Sequence, residues 1–458
     1  MQLLLQSQLR ELEQQHADAA PALMERAGRA AAQLAVERYG VCRVLICAGP
    51  GNNGGDGLVM ARELAKLGCP VSTLRDDADV TNGDYGLVVD ALFGIGLTRP
   101  IEGCYAALIE RINAFAGPVM ALDVPSGLNA DTGAVHGIAV RADLTATFIA
   151  AKPGLYTAEG PDHCGEICVL DLDLALPISP GALLDRTDFN SVLKPRQRNA
   201  HKGSYGTLAV IGGAPGMAGA ALLAGRAGLM LGAGRVMIGM LERLAIDPTT
   251  PELMLRTPDE ALAHATAIVA GPGLGQSDNA LELLRRLAST DFSLLLDADA
   301  LNLMARHPVV ANVVARRQAP TLMTPHPTEA ARLLGTDTAA IQTDRIAAAL
   351  ALARRFNACI ALKGVGTVLA HPDGRWRVNT TGNPGLASGG TGDVLAGMAG
   401  ALLAQSAPAW EALCAAVHLH GAAADAAVVA GNGPAGLTAS ELIVPARRLL
   451  NRWIAERV

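Results

Sequence analysis

Paired cysteines, long apolar runs and an excess of charge of one sign are all missing from this 458-residue chain. Its eight cysteines (Cys42, Cys47, Cys69, Cys104, Cys164, Cys168, Cys359, Cys414) include no CxxC pair and no His/Cys cluster. That argues against a zinc ribbon or a disulfide scaffold and points to reduced, mostly buried thiols of a cytoplasmic protein. No stretch reaches the roughly 18 consecutive apolar residues of a membrane span; residues 218–234 come nearest and contain Arg226. The first residues carry Glu11 and Glu13 and lack a long apolar core, so they do not read as a secretory leader. A net charge of −6 gives no electrostatic reason to expect nucleic acid. The expected partners are therefore small molecules, with no nucleic acid and no membrane, and the chain is expected to form a homo-oligomer.

Apolar residues make up 50% of the chain and charged ones 17%, which describes a well-buried globular protein too long for one ordinary core. Residues 6–38 have a helical period broken near Pro21. Apolar strand-like runs then alternate with amphipathic segments: 43–48, 54–67, 71–74, 87–92, 101–115, 118–122 and 145–149. Such alternation predicts a parallel sheet covered by helices on both faces, with ligands at the C-terminal strand ends.

Those ends hold the unusual residues of the first half. GPGNNGGDG (49–57) is a glycine-rich turn opening a helix, suited to hold phosphate on its N–H groups. Asp90 follows the strand at 87–89 and leads to GIGLTRP (94–100); Asp123-Val124-Pro125-Ser126-Gly127 follows the strand at 119–122. Each alone is an ordinary capped turn, but three at one sheet edge exceed what closing a sheet requires. Between residues 176 and 202 the period fails and prolines and basic residues gather, which reads as a surface linker at a domain boundary.

From residue 205 the alternation resumes over 207–213, 217–231, 235–240, 266–275, 293–304, 321–334, 358–364 and 366–370. Neither a GxGxxG fingerprint nor a Walker GxxxxGK[ST] occurs there, which argues against a dehydrogenase and a common NTPase. The half is organised around TGNPGLASGGTGDVLAGMAG (381–400), seven glycines in twenty residues running into an apolar helix. A helix N-terminus reached through glycines favours an anion on its free N–H groups. Asp393 at its mouth is either an N-cap or, beside bound phosphate, the base that takes a proton from an attacking hydroxyl.

GGTGDVLAG (389–397) resembles the signature of the NAD(P)H-hydrate dehydratase branch of the ribokinase-like superfamily, a resemblance that covers about residues 198–458. Residues 1–185 resemble the NAD(P)H-hydrate epimerase family, so the whole is similar to the two-domain repair enzymes that join both. The resemblance implies two three-layer α/β/α domains: a Rossmann-like epimerase domain at 1–185, a linker at 186–200 and a ribokinase-like dehydratase domain at 201–458.

By that resemblance Asn52, Asn53, Gly54, Gly55 and Asp56, with Gly94, Ile95, Gly96, Leu97, Thr98, Arg99 and Pro100, would hold the hydrated dinucleotide, Tyr105 nearby. Ile95 stands where the family's second glycine loop usually has threonine. Asn53, Asp90 and Ser126 would bind K⁺, an oxygen set suited to a hard cation, and Asp123 would be the acid/base. In the second half Ala220, Gly273, His326 and Asp393 would meet the hydrated nicotinamide, and Lys363, Gly364, Val365, Gly366, Thr367 and Gly392 the nucleotide. Asp393 would be catalytic, with Mg²⁺ and ADP, the donor that resemblance to the bacterial form favours. The implied substrate is NAD(P)H carrying a hydroxyl on the ring carbon beside nitrogen, epimerised by the first half and dehydrated by the second. Two rival readings stand beside this one: a ribokinase-like kinase that leaves phosphate on a small alcohol, and an N-terminal half that serves only as an interaction module.

Overall fold

Runs such as 44–48 and 87–91 carry no polar alternation, and a strand can be apolar on both sides only where both sides are covered. In the computed structural model, which describes residues 1–74, 84–242 and 244–457, every residue of both strands is buried. The chain divides into two compact units, Met1–Ala182 and Leu183–Val458.

The first unit has strands β1 (Val44–Ala48), β2 (Val71–Leu74), β3 (Leu87–Ala91), β4 (Val119–Leu122), β5 (Leu144–Phe148) and β6 (Glu166–Leu170). They form one sheet in the order β2-β1-β3-β4-β5-β6, parallel throughout. Its helices are α1 (Gln6–Gln15), α2 (Leu23–Tyr39), α3 (Asn52–Lys66), α4 (Gly103–Asn113) and the short α5 (Gly160–Cys164). Alternation along β1 divides the core. Val44, Ile46 and Ala48 pack with residues of α1, α2 and α3, while Leu45 and Cys47 pack with Leu108, Ile109 and Ile112 of α4. Helices α2 and α3 meet at Gly28, where a Cβ would come within 2.5 Å of the Val59 side chain, so only glycine allows the contact.

The second unit is built on a ten-stranded sheet in the order β10-β9-β8-β11-β12-β13-β14-β15-β16-β7. Its strands are β7 (Gly181–Leu183, at the boundary), β8 (Thr207–Gly212), β9 (Arg235–Met240), β10 (Met254–Arg256), β11 (Ala267–Ala270), β12 (Ser293–Leu296), β13 (Thr321–Met323), β14 (Cys359–Leu362), β15 (Val368–Ala370) and β16 (Trp376–Val378). The seven strands from β10 to β14 run parallel. A wholly parallel sheet was expected, but β15 and β16 run antiparallel. The few residues between β14 and β15 allow a hairpin and are too few for a parallel crossover.

Helices α6 (Ala218–Met230), α7 (Pro258–Leu262), α8 (Asp278–Ala288), α9 (Ala298–Arg306), α10 (Pro308–Ala315), α11 (Pro327–Leu334), α12 (Thr338–Thr343), α13 (Arg345–Phe356), α14 (Thr391–Ala404), α15 (Ala409–Val429) and α16 (Ile443–Ala455) cover this sheet. Helix α14 is buried along almost its whole length. It can lie against α6 because Gly397 has no side chain: a Cβ there would stand 2.0 Å from the Ala224 carbonyl oxygen.

Two expectations change. Residues 186–200 are not a free surface linker, because Phe189 and Leu193 are buried in the core of the second unit. Among the described residues helix α15, rather than residues 218–234, is the one long and apolar enough to cross a membrane, with a mean hydropathy of 1.5 over its best window. That window is 67% buried inside the protein, as in a core helix.

Candidate functional sites

In the first unit the C-terminal ends of β1, β3, β4 and β5 surround a cavity of about 430 Å³. Asn52, Asn53, Asp56, Gly94, Ile95, Gly96, Leu97, Thr98, Arg99 and Asp123 all line it. Asp123 follows β4 with a positive φ of 65°, a conformation Asp tolerates better than most residues and one that costs strain. Its Oδ1 accepts a 2.7 Å bond from Lys152 Nζ and its Oδ2 a 3.3 Å bond from the Ile95 N–H. The Ile95 loop reaches that carboxylate because Gly94 precedes it: a Cβ there would lie 2.9 Å from Asp123 Oδ2. The contact is made by backbone, so isoleucine can replace the usual threonine without losing it.

Lys152 was not foreseen. Its side chain is 1% exposed, and all three ammonium hydrogens are used, the other two on Thr147 Oγ1 and the Phe148 carbonyl, each at 2.7 Å. Also unforeseen were Arg10 and Glu13, which α1 brings to the cavity wall. Burial, then repulsion from Asp123, raises the Glu13 carboxyl above its ordinary value; burial, with Asp123 and Glu13, pushes Asp56 up to about 8. A second cavity of about 210 Å³ between α1, α2 and α3 is also lined by Glu13, Asn52 and Asp56.

Asp90 and Ser126 lie wholly buried outside the cavity lining. Asp90 accepts from the Ser126 N–H at 2.7 Å, from its hydroxyl at 2.6 Å and from the Leu92 N–H at 3.1 Å. Burial still pushes its carboxyl up to about 6. Asn53 donates to the Leu122 carbonyl at 3.2 Å, but its buried Oδ1 has no partner. An orphaned buried amide oxygen on Asn53 and a buried Asp90 carboxylate without a cationic partner among the described residues are oxygen donors of the kind a hard cation takes. Gly54, Gly55, Pro100 and Tyr105 do not line the cavity. Gly54 packs against the Gly49 carbonyl, Gly55 against Met24, and the Tyr105 ring sits edge-on to Phe93 at 5.0 Å.

In the second unit the ends of β12, β13 and β14 converge on the N-terminus of α14. Lys363 Nζ, at the end of β14, donates to Asp297 Oδ1 at 2.9 Å and stands 4.0 Å from Glu329 Oε2. Asp297 also accepts from the Thr324 hydroxyl at 2.8 Å. A Cβ on Gly392 would lie 3.4 Å from Lys363 Nζ, so the first turn of α14 faces that ammonium. Gly390, with φ 89°, is the N-cap of α14, and no capping bond is made by a side chain there. The N-cap is thus a glycine and Asp393 the third residue of the helix, not its N-cap. Burial and repulsion from Asp297 push its carboxyl up to about 6 against the pull of Lys363. That poise is what a base needs near neutrality.

The remaining foreseen residues gather around this point. A Cβ on Gly273 would lie 3.2 Å from Ala220 Cβ, so those two adjoin, and Gly275 is held by its N–H to Asp299 Oδ2 at 2.8 Å. The backbone N–H of Lys363 donates to the Pro325 carbonyl at 2.9 Å, placing the Lys363–Thr367 loop beside His326. In that loop the Thr367 hydroxyl donates to the Gly364 carbonyl at 3.0 Å, Gly366 has φ 61° and Val365 is exposed. His326 caps α11. His420 of α15, unforeseen, donates from Nε2 to the Thr391 carbonyl at 2.9 Å, and burial pushes it down to about 4.

Two α/β units, one with an acid–ammonium pair in a cavity and the other with a glycine-capped helix N-terminus beside a poised carboxylate, give the chain two separate candidate active sites. Comparison with known proteins supplies the family. Residues 208–444 match a family described as NAD(P)H-hydrate dehydratase, and residues 20–82 and 65–154 match one described as YjeF-related protein N-terminus. The bifunctional NAD(P)H-hydrate repair enzyme Nnr of Coxiella burnetii is 39% identical over 469 residues, 94% of each chain. The Escherichia coli protein of that name is 38% identical over 95% of this chain and 90% of its own. The solved ADP/ATP-dependent NAD(P)H-hydrate dehydratase of Bacillus subtilis, co-crystallised with ATP and Mg²⁺, is similar at a TM-score of 0.52 and 31% identity, over 59% of this chain and 98% of that one. This chain belongs to the family of bifunctional NAD(P)H-hydrate repair enzymes. Full-length matches to bifunctional relatives favour that reading over a kinase joined to an inert module.

Proposed function

We propose that the first unit interconverts the two epimers of hydrated NAD(P)H and the second dehydrates one of them, the S form, at the expense of ADP. The observation that carries this is the pairing of two separate acid sites on one chain: Asp123 bonded to a buried ammonium, and Asp393 uncapped at a glycine-lined helix terminus.

In the first unit the hydroxyl leaves the ring carbon as the ring nitrogen lone pair forms an iminium, taking up a proton as water. Asp123 carries that proton and regains it when water adds to the other face, while Lys152 balances the carboxylate charge between transfers. The cavity-lining residues of the two loops, Asn52, Asn53, Asp56 and 94–99, hold the dinucleotide together with Arg10. Asn53, Asp90 and Ser126 would hold K⁺, which would supply a fixed positive charge.

In the second unit Asp393 takes the proton of the ring hydroxyl, whose oxygen attacks the terminal phosphorus of ADP as its bond to AMP breaks. The helix terminus and Lys363 hold the developing negative charge. The new phosphate ester then leaves: the ring nitrogen pushes out phosphate, the adjacent carbon loses a proton, and the dihydronicotinamide is restored. Asp297 and Asp299 both act on Asp393 together with Lys363, but no group of three or more acidic, histidine or cysteine side chains among the described residues is placed to hold a metal ion by itself, so Mg²⁺ would be held chiefly by the nucleotide phosphates. Mg²⁺ would supply further charge neutralisation at the transferred phosphoryl group.

The test is to follow both epimers chromatographically with the full chain and its Asp123→Asn and Asp393→Asn variants. Asp123→Asn should stop exchange and spare dehydration, and Asp393→Asn should do the reverse. Loss of both activities in either variant contradicts the division of labour.

A further inference from the structure

The second unit holds a buried cation that no carboxylate among the described residues offsets. Arg345, the first residue of α13, is 3% exposed. Its Nη2 donates to the Leu362 carbonyl at 3.1 Å and its Nη1 to Gln342 Oε1 at 3.4 Å, while its buried Nε has no partner. The adjacent Asp344 is turned instead to the Ala347 N–H, at 2.9 Å. Burial pulls the Arg345 pKa down to about 10, so the group is still charged near neutrality. Its place is unfavourable twice over: a buried charge without a counterion is costly, and the positive end of a helix repels a cation.

The guanidinium lies directly behind the loop expected to meet the nucleotide. Leu362, whose carbonyl it holds, immediately precedes Lys363, and a Cβ on Gly364 would stand 2.3 Å from Arg345 Nη1. Gly364 also has φ 145°, so glycine is required there both by the backbone and by the approach of the guanidinium. Lys363, the loop's own cation, is already balanced in the empty site by Asp297 at 2.9 Å and Glu329 at 4.0 Å. Of these two cations, Arg345 is the one whose charge is left over.

We propose that Arg345 is a positioning residue that holds residues 363–367 from behind and gives that loop the unbalanced positive charge that draws the nucleotide phosphates. This rests on the reading above that the loop meets the nucleotide. Holding the loop does not by itself account for an arginine, because a neutral amide donates to a carbonyl without the cost of a buried charge. A nucleoside diphosphate brings the missing countercharge, and more of it than a monophosphate does. The charge acts through protein interior, where the dielectric is low and salt screens little. Such a field favours ADP over AMP, which is to say the donor over the product that has to leave.

The test is calorimetric titration of the full chain, in the presence of Mg²⁺, with ADP and separately with AMP, for the parent, Arg345→Lys and Arg345→Gln. Both replacements keep a donor for the Leu362 carbonyl, and only lysine keeps the charge. Arg345→Gln should weaken ADP about tenfold, the scale of one charge interaction in a protein interior, and AMP by clearly less, while Arg345→Lys stays within about threefold of the parent for both. In steady-state assays Arg345→Gln should raise KM for ADP and leave KM for the hydrate within about twofold. If Arg345→Gln does not fold, Arg345→Met, which fills the space without a polar group to bury, should show the same larger loss for ADP than for AMP. Equal losses of ADP and AMP, or equal ADP affinity in the lysine and glutamine variants, would show a packing role alone and overturn the proposal. A parent that binds no ADP refutes the functional reading; a parent that binds ADP, with a glutamine variant that binds it equally well, refutes this inference alone.

Discussion

Replacing Asp393 by asparagine should make the protein more stable and nearly inactive as a dehydratase. The folded carboxyl titrates near 6, whereas its ordinary value is 3.8, because burial and Asp297 oppose its charge. With the folded value above the unfolded one, the native state holds the proton more tightly, and stability is lost as pH rises between the two values. A shift of about 2 units corresponds to a penalty of about 3 kcal/mol for the ionised form, absent well below the unfolded value and complete above about pH 6. Asparagine removes the charge and so the penalty. At pH 8 the variant should melt roughly 6 °C above the parent, and the gap should close towards about pH 4. Dehydration should fall by about 10²–10⁴-fold, and the acid limb of kcat/KM near pH 6 should vanish. Thermal melts at several pH values, run beside NADH regeneration, read both. A melting difference independent of pH, or a rate that survives with its acid limb intact, would refute the idea that Asp393 is a buried charge kept for catalysis.

Asp123→Asn should slow epimer exchange by about 10²–10⁴-fold, measured chromatographically, while NADH regeneration from the S epimer continues. Lys152→Met should destabilise the chain by about 3–5 kcal/mol in denaturant melts, since it leaves Asp123 without its cation and two further acceptors unpaired; a change under about 1 kcal/mol would mean that the pair is not closed in solution. K⁺ should raise the melting temperature of the parent above that seen with a much larger monovalent cation, and Asp90→Ala should abolish the difference. Gly397→Val should unfold the second unit or lower its melting point sharply, because the added carbons would meet the Ala224 carbonyl.

The strand-end loops were legible because glycine, asparagine and aspartate cluster there for local reasons, and Asn52–Asp56, Gly94–Arg99 and Asp123 do line one cavity. What sequence could not show were partners far along the chain. Lys152 lies 29 residues from Asp123, within a stretch that reads as structural. Arg10 and Glu13 belong to a helix whose period announces only its buried side, Leu9 and Leu12. Lys363 to Asp297 spans 66 residues, and Glu329 resembles an ordinary capping residue until its burial is seen. Tyr105 does not line the cavity because its ring packs on Phe93 and the α4 core. The hairpin β15–β16 was missed for a related reason: three-residue strands carry too little pattern to set their direction.

The most direct test of the central claim is one incubation of the full chain with a mixture of both hydrated NADH epimers, ADP, Mg²⁺ and K⁺. NADH absorbance should return for the whole mixture, with one AMP and one phosphate released per NADH. A phosphorylated hydrate that accumulates, or absorbance that stops at the fraction of S epimer initially present, would contradict the account.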